Sequence, residues 1–91
     1  MSDIKKWNVE YTESASREIL ALDGNIKKIL KKVIEDKLMT DPLKFGAPLR
    51  RNLAGFFKLR VGNYRIIYQI KKREVIVLVI AVGHRKQIYE Y

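Results

Sequence analysis

Gly55-Phe56-Phe57-Lys58-Leu59-Arg60-Val61-Gly62-Asn63-Tyr64-Arg65-Ile66-Ile67-Tyr68 is the stretch on which the reading turns. Two runs of alternating residues flank Gly62-Asn63, a pair that tolerates positive φ and has the length of a two-residue hairpin turn. The turn fixes a register. Val61 faces Tyr64, Arg60 faces Arg65, Leu59 faces Ile66, Lys58 faces Ile67 and Phe57 faces Tyr68. Side chains alternate along each strand. One face therefore carries Phe57, Leu59, Val61, Tyr64, Ile66 and Tyr68, which should pack against helices. The other carries Lys58, Arg60, Arg65 and Ile67.

Like charges placed opposite each other in a sheet destabilise it, by up to about 1 kcal/mol. Arg60 against Arg65, with Lys58 diagonal to both and no Asp or Glu within the hairpin, is an arrangement that an incoming anion relieves. The alternative is three long side chains splaying into water. The charge of the whole chain agrees with an anion site. The formal net charge is +9 over 91 residues, and residues 1–43 balance to zero, so the excess lies in residues 44–91. One-sided charge of this kind is the footprint of a polyanion or of an acidic protein partner.

Outward from the hairpin, the order of elements is β-α-α-β-β-β. Ile4 to Tyr11 reads as a strand, with Trp7, Val9 and Tyr11 on one face. Thr12 is placed as an N-cap and Glu13 at the positive end of a helix carrying Ala15, Ile19 and Leu22. Asp23-Gly24-Asn25 breaks that helix and starts a second. The second has an apolar stripe of Ile26, Ile29, Leu30, Val33, Ile34 and Leu38, flanked by Lys27, Lys28, Lys31 and Lys32. Glu35 and Asp36 follow Lys31 and Lys32 at a spacing of four, so these lysines read as a solvated face. A break this short predicts an antiparallel helix hairpin. Asp41 to Leu53 is read as a loop, punctuated by Pro42, Gly46 and Pro48. Lys71-Lys72-Arg73 makes a second turn. Val75 to Val82 is apolar throughout, which predicts a central strand covered on both faces. The fold class is α+β, an antiparallel-rich sheet packed against a two-helix hairpin, in one domain over residues 1–91.

Composition excludes several classes. There is no cysteine, hence no disulfide scaffold and no thiolate metal site. No apolar leader is visible before Tyr11, and the run Val75 to Val82 is too short to span a bilayer. A cytoplasmic protein without membrane attachment is expected. One His and the absence of an acidic cluster in the basic half leave no metal-ligand set, and no cofactor is implied.

The segment after the last strand supplies further candidates. Gly83 permits a sharp exit, with His84 and Arg85 beside it and Tyr89 a few residues on. His84 is the only His, and an imidazole suits acid or base work near neutral pH. Tyr89 suits stacking on a base or orienting a hydroxyl, closure of the core being its other reading. Arg50 and Arg51, at the end of the loop, and Lys86, next to Arg85, are candidates for phosphate contact. Such a set fits RNA cleavage without a metal. The substrate's 2′-OH attacks the adjacent phosphate, while the protein orients it, stabilises the phosphoryl oxygens and protonates the leaving 5′-oxygen.

Tyr64-Arg65-Ile66-Ile67-Tyr68, after Lys58-Leu59-Arg60 and before Val82-Gly83-His84-Arg85 and Tyr89, resembles the RelE/ParE toxin superfamily. The element order resembles it too. The resemblance implies a toxin of a type II toxin–antitoxin module. In the RelE-like branch it implies an endoribonuclease that cuts mRNA on the ribosome, with Lys58 and Tyr89 activating the hydroxyl, Arg65 holding the phosphate, Arg85 near the leaving group and Arg60 beside them. A guanidinium stays protonated in proteins, so proton donation is read onto His84 instead. The position two before Lys58, a second Lys in some RelE toxins, is Phe56 here, and Arg50 or Arg51 is read as its substitute. The partners implied are a cognate antitoxin, in a hetero-oligomer, and mRNA with the ribosome. The alternative within the superfamily is a ParE-like toxin that blocks DNA gyrase by binding. Retention of Lys58, Arg65, Arg85 and Tyr89 together favours the RelE-like branch.

Overall fold

A computed structural model describes residues 6–49 and 55–84. Five strands form one sheet in the order β1-β5-β4-β3-β2. They are β1 (Asn8–Tyr11), β2 (Ala47–Pro48), β3 (Phe56–Val61), β4 (Tyr64–Lys71) and β5 (Ile76–His84). The helices are α1 (Glu13–Leu20), α2 (Gly24–Val33), which continues as a π-helical turn over Ile34–Leu38, and α3 (Pro42–Phe45). β1 runs parallel to β5, and the other pairs are antiparallel.

The hairpin register is the one the sequence dictates, from Val61 opposite Tyr64 to Phe57 opposite Tyr68. Gly62 takes φ 60° and Asn63 does not turn positive, the pattern of a type II′ turn. Alternation then separates the faces. Leu59, Ile66 and Tyr68 join Val77, Val79 and Val82 of β5 in a core closed by Ala15 of α1 and by Leu30, Ile34 and Leu38. Phe57 stacks on Tyr68 with ring centroids 5.6 Å apart.

The caps follow from side-chain chemistry. Thr12 accepts a hydrogen bond from the Ala15 N–H at 3.1 Å, and Asp23 begins α2 by accepting from Asn25. Lys32 pairs with Asp36 at 3.2 Å, as the spacing of four predicts.

Four expectations need correction. The segment Asp41 to Leu53 is not all loop: Asp41 caps α3 by accepting from Lys44 N, Pro42 fills its first turn, and Ala47–Pro48 pairs with β3 as an edge strand. Asp followed by Pro is a helix-start signal that Gly46 and Pro48 had obscured. Ile29 is 51% exposed, because it lies about 100° round the helix from Leu30 and beyond the edge of the apolar stripe. Val75 is not strand. It sits at φ 56° in the turn, uncommon for a β-branched residue, with its carbonyl accepting from Asn8 N. Finally, β5 is interior but not central: β4 is the middle strand, and β1 covers only Ile76 to Val79 of its outer edge.

One buried polar contact ties α3 to the sheet. The Tyr68 hydroxyl donates to the Pro42 carbonyl at 2.6 Å, and a Cβ at Gly46 would collide with that hydroxyl. Burial pushes the Tyr68 phenol far above its usual range, with the Asp41 carboxylate adding to the shift, and Tyr11 moves the same way through burial and then Glu35. Tyr68→Phe leaves the Pro42 carbonyl unpaired and should cost about 1–3 kcal/mol in urea unfolding. Gly46→Ala should be destabilising as well, and the double variant should lose less than the sum of the two. The unfolded phenols release protons above about pH 10 while the folded ones hold theirs, so stability should be full below that pH and fall above it. Tyr68→Phe should make that fall shallower.

Candidate phosphate-binding face

Lys58, Arg60 and Arg65 share the face of the sheet turned away from α1 and α2. Arg60 stands directly opposite Arg65, and Lys58 opposite Ile67. Arg60 is exposed, while Lys58 and Arg65 are half-buried. Both ion pairs among the described residues lie on the helices, Arg17 with Glu13 and Lys32 with Asp36. No described carboxylate pairs with any of the three cations. The Nε of Arg65 is buried with no hydrogen-bond partner. An orphaned guanidinium N–H costs free energy until an acceptor reaches it. The like-charge pair inferred from the sequence is therefore formed, with no described carboxylate against it.

The same face holds a small apolar floor, where Ile67 and Ala81 are buried and Leu49 packs on them. Gly83 pairs with Arg65, and Ala81 with Ile67. Beside Arg65 and Ile67, β5 thus contributes a glycine and an alanine, the two smallest residues. The sequence reading missed these two small residues as part of the site. It treated Gly83 as a strand exit, whereas the strand continues through it to His84.

His84 does not join the cations. It pairs with Tyr64, and its ring meets the Tyr64 ring edge-on at a centroid distance of 5.5 Å, on the side that carries the helices. The cause is a bulge. The register between β4 and β5 shifts at Ile67/Tyr68, so that Tyr68 pairs with Val79 but Ile67 with Ala81, and Ile80 is the extra residue. One added residue exchanges the faces of everything after it. An unbroken alternation from Val77 and Val79 would have put Val82 and His84 among the cations; the bulge puts Ala81 and Gly83 there instead. The bulge thus sets the His84 ring on the face opposite Lys58, Arg60 and Arg65, whereas a proton donor beside the phosphate is expected on theirs. Arg50, Arg51, Arg85, Lys86 and Tyr89 lie outside the described residues.

On the helix side, α1 and α2 leave an open groove of about 530 Å³ lined by Tyr11, Ile19, Leu20, Leu30 and Ile34, with Lys27 and Lys31 among its walls. Leu20 is 72% exposed there. Among the described residues no group of three His, Asp or Glu side chains forms a metal-ligand set, and no helix is long and apolar enough to cross a membrane.

Comparison with known proteins bears on this geometry. Residues 9–89 match the model of a family described as the ParE toxin of the type II toxin–antitoxin system parDE. The chain is 36% identical over 83 residues to the toxin RelG of Mycobacterium tuberculosis, covering 91% of this chain and 95% of that one. The chain belongs to the RelE/ParE superfamily of type II toxins. It is also 29% identical over 85 residues to the mRNA interferase toxin RelE of Escherichia coli, covering 91% of this chain and 87% of that protein. Its fold matches the crystal structure of the RelBE2 toxin–antitoxin complex of M. tuberculosis with a TM-score of 0.83, at 33% identity over 93% of this chain and 98% of that one. A RelE/ParE toxin is thus built on the sheet described above, with β4 at its centre.

If the unpaired Arg65 Nε marks an anion site, Arg65→Ala should weaken binding of a short single-stranded oligonucleotide by about tenfold or more, the loss of a charge-assisted hydrogen bond. Arg60→Gln should weaken it less, and should stabilise the free protein by up to about 1 kcal/mol by removing the like-charge pair. Fluorescence anisotropy and urea unfolding check the two halves.

Proposed function

We propose that the chain is a RelE-like toxin that cleaves mRNA on the ribosome through the substrate's own 2′-OH. The observation that carries the reading is the cationic face: Lys58, Arg60 and Arg65 unpaired with any described carboxylate, and the Arg65 Nε buried without an acceptor. The name of the E. coli relative, an mRNA interferase, supports the same reading. In the step proposed, the 2′-oxygen forms a bond to phosphorus as the bond from phosphorus to the 5′-oxygen breaks. A proton leaves the 2′-OH and another arrives at the 5′-oxygen, leaving a 2′,3′-cyclic phosphate and a free 5′-OH. Arg65 stabilises the charge gathering on the phosphoryl oxygens, and Lys58 lies one strand away to favour the hydroxyl's ionisation. Arg85 and Tyr89 are assigned by resemblance to the leaving oxygen and the attacking hydroxyl. Gyrase inhibition, the other reading of the superfamily, is not favoured by relatives that bear RelE names.

A toxin needs a neutraliser, and the RelBE2 structure pairs a relative with its antitoxin. We assign this chain an antitoxin partner carrying an amphipathic helix with acidic flanks. Leu20 and Tyr11 offer it apolar contact in the α1–α2 groove, with Lys27 and Lys31 offering charge. Leu20→Lys should then weaken the complex with little effect on cleavage by the free toxin.

Primer extension on mRNA in a reconstituted translation reaction tests the nuclease. Cuts within translated codons should fall by about a hundredfold or more in Arg65→Ala, the scale of a lost oxyanion donor. A deoxy substitution at the cut site should abolish them. His84→Gln should fall short of the roughly hundredfold loss of a general acid, since that ring faces the helices. Intact mRNA with trapped gyrase would overturn the reading.

A further inference from the structure

β1 ends at Tyr11, opposite Val79, yet β5 runs on to His84 with no described strand on that outer edge. Thr12 and Glu18, from the cap and body of α1, meet that edge instead. Thr12 N donates to Val79 O at 3.0 Å, and the Thr12 hydroxyl donates to Ile80 O at 3.1 Å. One turn further along α1, Glu18 Oε1 accepts from the Val82 N–H at 2.8 Å, across 64 residues of sequence. Glu18 is half-buried and has no basic partner among the described ion pairs, so this backbone group is the contact the structure gives its carboxylate.

The place of that contact matters. Hydrogen-bonded and non-bonded pairs alternate along an antiparallel ladder. Because Val82 turns its N–H outward to Glu18, Ile66–Val82 is a non-bonded pair. Gly83–Arg65 is then the next pair that exchanges backbone bonds. Gly83 carries no side chain to pack and sits just past the bulge at Ile80. This is the point at which β5 holds the backbone of Arg65. We propose that Glu18 is a positioning residue for the cleavage site: its carboxylate takes the place of a neighbouring strand, holds the end of β5 in register and so fixes Arg65. Glu18 acts from α1, on the helix side of the sheet, so it steadies the arginine's frame without pairing with its charge.

The inference rests on the cleavage reading only for its kinetic arm. Three forms of the full-length toxin are compared: wild type, Glu18→Gln, which keeps a side-chain oxygen as acceptor but drops the charge, and Glu18→Ala, which removes both. In Glu18→Ala, amide exchange at Val82 and Arg65 should quicken by about tenfold or more, while exchange at Val77, beneath β1, stays within about twofold. Cleavage should show a kcat lowered by about tenfold at a KM within about threefold in Glu18→Ala, with Glu18→Gln close to wild type. Unchanged exchange at Val82 and Arg65 in Glu18→Ala overturns the proposal. So does an equal rise in exchange at Val77, which makes Glu18 a general stabiliser. If the wild type cleaves no RNA, the nuclease reading fails, and the exchange measurements still decide whether Glu18 holds the strand.

Discussion

Arg60 facing Arg65 across a two-residue turn is the constraint on which the structure depends. Gly62 and Asn63 leave no freedom in how β3 meets β4, and a slip of one residue would turn one strand's side chains to the opposite face from its partner's. Either Leu59 or Ile66 and Tyr68 would then point away from the helices, and the core could not close. Burial of the apolar face thus forces the guanidinium groups together. The repulsion between them is small beside the burial that imposes it, since each buried aliphatic or aromatic side chain contributes about 1.5–3 kcal/mol.

Each face of the sheet accordingly has its own task. The helix side is apolar and closed, with its few polar demands met inside it, as where the Tyr68 hydroxyl reaches Pro42. The opposite side has a narrow apolar floor at Ile67, Ala81 and Leu49, with cations at its border. Low polarity beside a guanidinium raises the worth of an incoming phosphate, because less of the field is lost to water. Ala81 and Gly83, the smallest residues, are what β5 places beside Ile67 and Arg65.

The end of β5 is where stability and function meet. It lies beside the arginine, it has no described strand on its outer edge, and it contains a bulge and a glycine. Thr12 and Glu18, from the cap and body of α1, occupy its outer hydrogen-bonding groups. α1 therefore does more than cover the core: it completes a ladder that β1 is too short to complete. An edge left open there would also invite pairing with another chain.

Much of this was legible in the sequence. The α+β class, the two helices with Thr12 and Asp23 as caps, the hairpin register and the grouping of Lys58, Arg60 and Arg65 all follow from spacing within one or two turns of chain, which covalent geometry and local hydrogen bonds enforce. What the sequence could not disclose were relations across distant segments. The bulge at Ile80 leaves no mark in a run that is apolar at every position, so alternation could not say on which side His84 would fall. The parallel pairing of β1 with β5, the grip of Glu18 on Val82 and the contact of Tyr68 with Pro42 join residues 26 to 68 positions apart or more. Nothing local selects such contacts. They form because the sheet must bury one face and satisfy its edge at the same time, and only the assembled chain presents both demands together.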